Sequence, residues 1–503
     1  MRHGSLLLAV CALLMGCSGA GLGDACGGTD DCGANLQCLS NVCVARCVRA
    51  PDCGDGYSCD TDGICHAATG GDGDACTSET QCEEGYACRL SATTSTDGSL
   101  GATCSKVTGG HPAGAACALD DDCANHTCAL GRCVDLCDHT LDCGVGMACT
   151  VIPRIESDNA MFQGCLQSTG SLAWTIPIHG SSDTVKLPVP ASARSIAVTM
   201  RVDDPNQMVG VTKLTAPDGT PLLQYGDDPY ADKVRHLPLL GQSVLALPSS
   251  PDTLIDPSTK ALVPGGYTMT VSSLKPPFDP TSVGTATPVV TAVAKLDASV
   301  ILDLHFYFLD FTDHPCNAQF GAFQTLDATT AAQQSFFQSE YIGQLRTIFS
   351  SGGVALGTLT YKDLPDHHDL DGLDLTNAGD LLQLGEWAGG VNVFFVRTIS
   401  PGGIQAFGPN PGPAGIAGTS QSGVIVSLES LCYSDWKDIA RITAREVARY
   451  MGLYNNVEID ATQRDPIMDS DDSSSNLMFY SELGGIDLSD GQHQILNRSP
   501  VLR

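Results

Sequence analysis

One short segment near the C-terminus carries side chains that could do chemistry. Arg441, Arg445 and Arg449 recur every four residues within a helical pattern of apolar residues, and Glu446 lies among them. A carboxylate in such a place could act as a general base, and guanidinium groups bind carboxylates through paired hydrogen bonds. The segment predicts either an anion-binding cleft or arginines neutralised by carboxylates such as those of Glu446 and Glu458.

Residues 443–455 resemble the zinc-binding helix of the metzincin metallopeptidases. The family's H-E-x-x-H-x-x-G-x-x-H element aligns its three His with Arg445, Arg449 and Asn455, and its Glu with Glu446. The resemblance implies that Glu446 keeps the general-base position of the family. It also implies that all three zinc-ligand positions are degenerate.

A second short element supports the same resemblance. Met478, in the sequence Asn-Leu-Met, matches the family's Met-turn, and residues 488–502 resemble the helix that follows that turn. The resemblance covers 289–503 and implies an α/β metzincin-like domain there.

The substituted side chains do not suit zinc. A guanidinium stays protonated and has no lone pair to donate, and the amide oxygen of Asn455 is a weak ligand. Catalytic zinc needs three protein ligands and a bound water, so Glu446 has no activated water to act upon. The sequence therefore predicts a pseudoenzyme with no cofactor.

Two alternatives keep a metal. His314, His367 and His368 could serve as unrecognised ligands of a divergent zinc metalloendopeptidase. The acidic stretches 366–374 and 469–472 leave calcium open, although neither has EF-hand spacing and both read as polar loops.

Cysteine is concentrated in one part of the chain. Twenty of the 24 Cys lie between Cys26 and Cys165, in five units that each open with C-x5-C. Such an internal repeat in an exported chain predicts small modules held by disulfides. The spacing does not fit the C-x2-4-C pattern of zinc sites, and it leaves the pairing within each unit open.

The paired units resemble the Dickkopf N-terminal cysteine-rich domain. The resemblance rests on the Cys spacing, including the x3 spacers that follow Cys43 and Cys133. It implies a scaffold or protein-binding array, which could itself carry the protein's function. Farther along the chain, Cys316 and Cys432 are predicted to pair with each other.

The N-terminus predicts export. A basic start is followed by a short apolar run, too short to span a bilayer, and residues 14–17 resemble a bacterial lipobox. The resemblance implies that Cys17 is lipidated. Ser18 at the next position favours the outer membrane, so we expect a cell-envelope lipoprotein attached to the membrane by lipid alone.

The charge balance argues against nucleic acid as a partner. The chain has 57 acidic and 26 basic residues, and 20 acidic against 6 basic residues lie between Cys26 and Cys165. Phosphate backbones are bound by clustered Lys and Arg. No basic tail offsets the acidic excess, so the expected partner is a protein or peptide.

The middle of the chain predicts an antiparallel sandwich. Apolar alternation recurs between turn sequences, and residues 262–271 resemble a hairpin of bacterial jelly-roll domains. The chain is therefore predicted to be multidomain, with disulfide-rich modules, an all-β jelly-roll-like sandwich and an α/β domain. The predicted segments are a signal peptide (1–17), a tether (18–25), the repeats (26–165), the sandwich (168–273), a linker (274–288) and the metzincin-like domain (289–503).

Overall fold

A computed structural model of the chain forms two compact units, Met1–Ser168 and Thr169–Arg503. The residues that the structure describes are 20–22, 24–49, 52–53, 57–59, 63–94, 100–154, 160–230, 232–309, 326–460, 462–481 and 484–503. Cys17 and the predicted signal peptide lie outside them.

The first unit is built from short antiparallel hairpins. Each pairs two strands of one Cys-rich repeat, and one repeat adds a third strand. The strands are β1 Leu36–Leu39, β2 Val42–Ala45, β3 Tyr57–Cys59, β4 Cys65–Ala67, β5 Ala75–Cys76, β6 Tyr86–Thr94, β7 Leu100–Lys106, β8 Cys128–Ala129, β9 Arg132–Cys133, β10 Met147–Pro153 and β11 Met161–Gln167.

Ten disulfides among the described residues confirm the disulfide prediction. Every repeat uses the same pairing, in which its first Cys bonds to the third and its second to the fourth. The pairs are Cys26–Cys38, Cys32–Cys43, Cys47–Cys59, Cys53–Cys65, Cys76–Cys88, Cys82–Cys104, Cys117–Cys128, Cys123–Cys133, Cys137–Cys149 and Cys143–Cys165. The third and fourth Cys face each other across the hairpin, as Cys38 and Cys43 do, so loops of different length are tolerated between them.

Four aspartates of the repeats hold the turn that precedes the second Cys. Asp31 Oδ2 accepts hydrogen bonds from the backbone N–H groups of Gly27 and Gly28, at 2.8 and 3.0 Å. Asp52, Asp122 and Asp142 make the same pair of bonds. These bonds hold the pKa of the Asp52 and Asp122 carboxyls below its ordinary value. Part of the acidic excess therefore stabilises the repeats.

The second unit is a mostly β-sheet body with few helices. It begins with two antiparallel sheets, ordered β12-β20-β14-β18 and β13-β19-β15-β16, and β17 also pairs with β15. Their strands are β12 Ser171–Ile176, β13 Ser182–Val189, β14 Ser195–Arg201, β15 Met208–Thr215, β16 Pro221–Gln224, β17 Leu239–Leu240, β18 Gln242–Leu247, β19 Gly265–Leu274 and β20 Val289–Lys295.

Strand β20 corrects the predicted boundary at 289. The sequence interpretation gave this strand to the C-terminal domain, but it pairs with β12 and β14 in the first antiparallel sheet. Its buried Val290, Ala292 and Ala294 fill the middle of that sheet. The predicted linker at 274–288 is also held, because Gln207 Oε1 accepts hydrogen bonds from two of its backbone N–H groups.

A mixed sheet completes the body, ordered β22-β21-β24-β27-β26. Its first four strands are parallel and β26 is antiparallel to β27. A small parallel pair, β23 with β25, lies outside this sheet. The strands are β21 Ile301–Phe308, β22 Ala355–Asp363, β23 Gly372–Asp374, β24 Val391–Val396, β25 Thr398–Ser400, β26 Ala406–Phe407 and β27 Val424–Ser427.

Five α-helices occur in the described part of the body. They are α1 Ala328–Gln333, α2 Ile342–Ser351, α3 Ala378–Leu382, α4 Trp436–Tyr450 and α5 Asp490–Leu496, and a π-helical turn at Phe336–Tyr341 leads into α2. None of the helices among the described residues is long and apolar enough to cross a membrane.

Helix α4 is fixed by its cap and by the core. Asp435 accepts hydrogen bonds from the backbone N–H groups of Lys437 and Asp438, which satisfies the free donors of the first turn. Inside the body, the buried Tyr341 hydroxyl lies 3.1 Å from Thr443 Oγ1. The helix therefore has a defined position along its axis, which matters because it carries the candidate site.

Candidate functional site

The site is centred on the carboxylate of Glu446. This side chain is only 3 % exposed, because α4 turns it inward among residues of the body. A buried carboxylate is costly unless charged or polar partners compensate for it. Its partners therefore define the chemistry of the site.

Two arginines of the same helix supply that compensation. Arg445 Nη1 lies 2.6 Å from Glu446 Oε1, and Arg449 Nη1 lies 3.1 Å from Oε2 and 3.3 Å from Oε1. Both guanidinium groups come from positions that the metzincin resemblance assigns to zinc ligands. The predicted neutralisation by Glu446 therefore exists in the structure.

The third ligand position joins the same network. Asn455 Oδ1 accepts a hydrogen bond of 2.8 Å from Arg445 Nη2, and Asn455 Nδ2 donates one of 2.9 Å to Glu458 Oε2. Asn455 thus uses its amide to connect a cation to an anion. The structure brings Arg445, Glu446, Arg449 and Asn455 together in one hydrogen-bonded network.

The turn at Met478 lies beside this network. Met478 is fully buried, and its carbonyl accepts a hydrogen bond from the backbone N–H of Asn456. The Nε of Arg445 donates to the carbonyl of Phe479 at 3.1 Å, and its Nη2 lies 3.4 Å from the carbonyl of Tyr480. Arg445 therefore links helix α4 to the residues that follow Met478.

The site has more positive than negative charge. Burial lowers the pKa of Arg445, Glu446 opposes that change, and the charges of Arg449 and Arg441 lower the pKa further. A single buried carboxylate thus faces several guanidinium groups. A cavity of about 190 Å³ lies beside them, lined among others by Arg441, Arg445, Glu446 and Tyr480.

Zinc does not fit this donor set. Each guanidinium is committed as a hydrogen-bond donor, and neither has a lone pair for a metal. Both oxygens of Glu446 accept hydrogen bonds from cations, and the amide oxygen of Asn455 accepts one from Arg445. The geometry therefore favours a closed polar network over a metal centre.

The alternative histidine ligands do not form a cluster in the described part of the chain. His367 and His368 lie in a short helical turn at Pro365–Leu370, and His368 Nδ1 is 3.6 Å from Asp371. His314 lies outside the described residues. Among those residues, the only groups of three or more metal-ligand side chains are Cys that form the repeat disulfides.

The acidic loops make contacts within the protein. Asp469 accepts hydrogen bonds from the Ser489 hydroxyl and from the Gly491 N–H, at the start of helix α5. Asp472 pairs with Arg464 at 2.9 Å, and Asp371 lies 3.3 Å from Arg397. The stretch 469–472 therefore fits the polar loop that was predicted, whereas 366–374 does not, because it forms the helical turn Pro365–Leu370 and strand β23.

The late cysteines are described in part. Cys432 is disulfide-bonded, and its predicted partner Cys316 lies outside the described residues. Cys432 ends the short helical turn at Leu428–Cys432, just before α4. A crosslink at this point restrains the entry to the helix of the site.

A second cavity contains residues that the sequence interpretation missed. It has a volume of about 550 Å³ and is lined by Arg449, Asn455 and Glu458, and also by Tyr230 and Arg235. No motif pointed to Arg235, which lies some 200 residues before the helix. In the sequence, the only signal for an anion site near this cavity was the series of arginines that ends at Arg449.

Comparison of the chain with models of known protein families and with curated proteins found no match. The interpretation of the site therefore rests on its own geometry.

Proposed function

We propose that the protein is an exported, lipid-anchored binding or scaffold protein whose C-terminal domain is a catalytically degenerate metallopeptidase-like domain. The single observation that carries the proposal is the ion-pair network at Glu446. Two guanidinium groups occupy the space beside the one carboxylate that could have acted as a base.

The energetics of the network support a structural role. A buried ion pair loses several kcal/mol when one partner is removed, because the remaining charge is left uncompensated. Glu446 could take up a proton in a reaction only by giving up the charge that holds Arg445 and Arg449. We therefore infer that the network stabilises the domain and does not turn over a substrate.

The disulfides of the first unit support the proposed cellular location. Disulfides form and persist in oxidising compartments, and ten of them in the described repeats indicate an extracellular or exported protein. The resemblance of residues 14–17 to a lipobox supports attachment through Cys17, and Ser18 supports the outer membrane. In this proposal the repeats lie between Cys17 and the body along the chain.

The body is proposed to combine a jelly-roll-like sandwich with a metzincin-like domain. The two antiparallel sheets support the first part. The mixed sheet, helix α4 and the buried Met478 support the second.

Metal analysis tests the absence of catalysis. We expect the purified full chain to hold no stoichiometric zinc after dialysis against zinc at neutral pH, and to leave a mixed peptide library uncut. The Glu446→Gln variant should show the same zinc content and the same lack of peptide hydrolysis, and Glu458→Gln serves as the matched control. One tightly held zinc per chain, with peptide hydrolysis lost only in Glu446→Gln, would contradict the proposal.

A further inference from the structure

The larger cavity of the body has an apolar mouth. Its lining includes Leu237, Leu239 and Leu240, whose exposed fractions are 51, 40 and 54 %. Three exposed leucines in one short segment form an apolar patch of the kind that marks binding sites. The volume of about 550 Å³ falls within the range of small-ligand sites.

A buried guanidinium lies at the same cavity. Arg235 is 6 % exposed, and its guanidinium stacks on the Tyr230 ring at 3.9 Å. Its Nη2 donates to the carbonyl of Arg464 at 2.8 Å. Within the described ranges no carboxylate forms an ion pair with it, although Asp465 and Asp232 lie near enough to sense its charge.

Buried charges in proteins are normally paired. Arg235 is compensated by one carbonyl and by aromatic faces, and its Nε has no hydrogen-bond partner in the described part of the chain. Arg449, which also lines the cavity, pairs with Glu446 through Nη1, but its buried Nε has no hydrogen-bond partner among the described residues. Two guanidinium groups at one cavity therefore favour an anionic ligand, and a carboxylate matches their planar donors.

A third group narrows the class of ligand. Gln421 lines the cavity, and its buried Oε1 has no donor among the described residues, while its Nε2 already donates to the carbonyl of Gln242. A fatty acid or an inorganic anion at neutral pH offers acceptors but no suitable N–H group. A peptide supplies a carboxylate, apolar side chains and amide N–H donors together.

We propose that this cavity binds the C-terminus of a peptide or protein that ends in an apolar residue. The terminal carboxylate faces Arg235 and Arg449, a backbone N–H reaches Gln421, and the apolar side chain lies against Leu237, Leu239 and Leu240. The inference rests on the proposed function, because it assigns a ligand class to the non-enzymatic binding protein.

Calorimetric titration of the full chain tests the carboxylate. The probes are acetyl-Ala-Leu-Leu with a free C-terminus, the same peptide as its C-terminal amide, and decanoate. We expect the free acid to bind at least about tenfold more tightly than the amide, since a charged hydrogen bond is lost. Decanoate should bind more weakly than the free acid because it offers no N–H donor.

Variants test the location. Leu240→Glu places a like charge at the exposed mouth and should weaken binding of the free acid at least about tenfold, and Leu240→Gln is the matched control for lost apolar surface. Arg235→Met should abolish the preference for acid over amide, and Arg235→Lys should restore part of it. Circular dichroism identifies a variant that fails to fold. If Arg235→Met fails to fold, Leu240→Glu still tests whether the peptide binds at this cavity.

Three results would overturn the inference. They are equal binding of acid and amide, no binding of the free acid at millimolar concentration, and binding of decanoate without binding of the peptide. Zinc analysis of the same sample separates these failures from failure of the proposed function. A metal-free, inactive chain that does not prefer the free acid loses only the ligand assignment.

Discussion

The two units of this protein are stabilised in different ways. Cysteines are the most frequent buried side chains of the described repeats, and small clusters such as that of Cys47, Cys53, Cys59 and Cys65 form part of their core. The body has a continuous core of aromatic and aliphatic side chains, with Phe306 among them. Small modules cannot bury enough apolar surface and need crosslinks. The comparison shows that disulfides stabilise the repeats, whereas packing of the core stabilises the body.

Reduction of the disulfides should give the largest difference between the units. Each repeat disulfide is worth about 2–5 kcal/mol, so dithiothreitol should unfold the repeats and expose them to protease. All three Trp of the chain, Trp174, Trp387 and Trp436, lie in the body. Dithiothreitol also reduces the disulfide at Cys432, but the packed core should keep the body folded, and the Trp fluorescence should report this. Protease-resistant repeats in the reduced protein would show that packing holds them after all.

Loss of the Glu446 charge should destabilise the body and leave the repeats unchanged. Glu446→Gln leaves Arg445 and Arg449 buried without their shared anion, and we expect a loss of about 3 kcal/mol. Urea unfolding followed by Trp fluorescence measures it. The control Glu458→Gln keeps its hydrogen bond from Asn455 and should cost less than about 1 kcal/mol. Equal effects of the two substitutions would remove the special role given to Glu446.

The repeats should lose stability as the pH rises. Burial and the nearby Asp135 raise the pKa of Glu79 to about 8, although its Oε2 accepts a hydrogen bond from the Cys88 N–H. The folded state then binds a proton that the unfolded chain releases near pH 4.5, so this contribution is complete below pH 4.5 and is lost as the pH rises through 8. Between pH 5 and 7 the loss is about 2 kcal/mol.

The Glu79→Gln variant checks this pH dependence. It should reduce the dependence of the repeats' resistance to protease on pH, whereas Glu83→Gln at an exposed position should leave it as in the parent. A smaller dependence should remain in Glu79→Gln, because burial raises the pKa of Asp135 to about 6. The Trp fluorescence of the body should follow neither variant. An unchanged pH profile in Glu79→Gln would place the titrating group elsewhere.

Local patterns predicted much of the fold. The helical pattern that contains Arg441, Arg445 and Arg449 lies in α4, and the Cys-rich units are disulfide-bonded hairpins. Residues 289–295 were assigned to the C-terminal domain, because a local pattern does not show which sheet a segment joins. Its partners β12 and β14 lie about 100 residues away.

The candidate site, like the fold, was predictable only in part. The alignment of one helix and one turn grouped Arg445, Glu446, Arg449 and Asn455. Of these, Arg445 and Arg449 share a helix face because they are four residues apart. The contact of Arg445 with the Phe479 carbonyl and the approach of Arg235 to the cavity depend on loops that no local pattern describes.

By itself, the sequence determined the repeat of the cysteines, the helix and the side chains at the three altered positions, since these follow from spacing and residue type. Only the tertiary structure decided which Cys pair, where β20 lies and which charges meet. Those outcomes depend on contacts between distant residues, and a buried charge such as that of Arg235 becomes informative only when its surroundings are known.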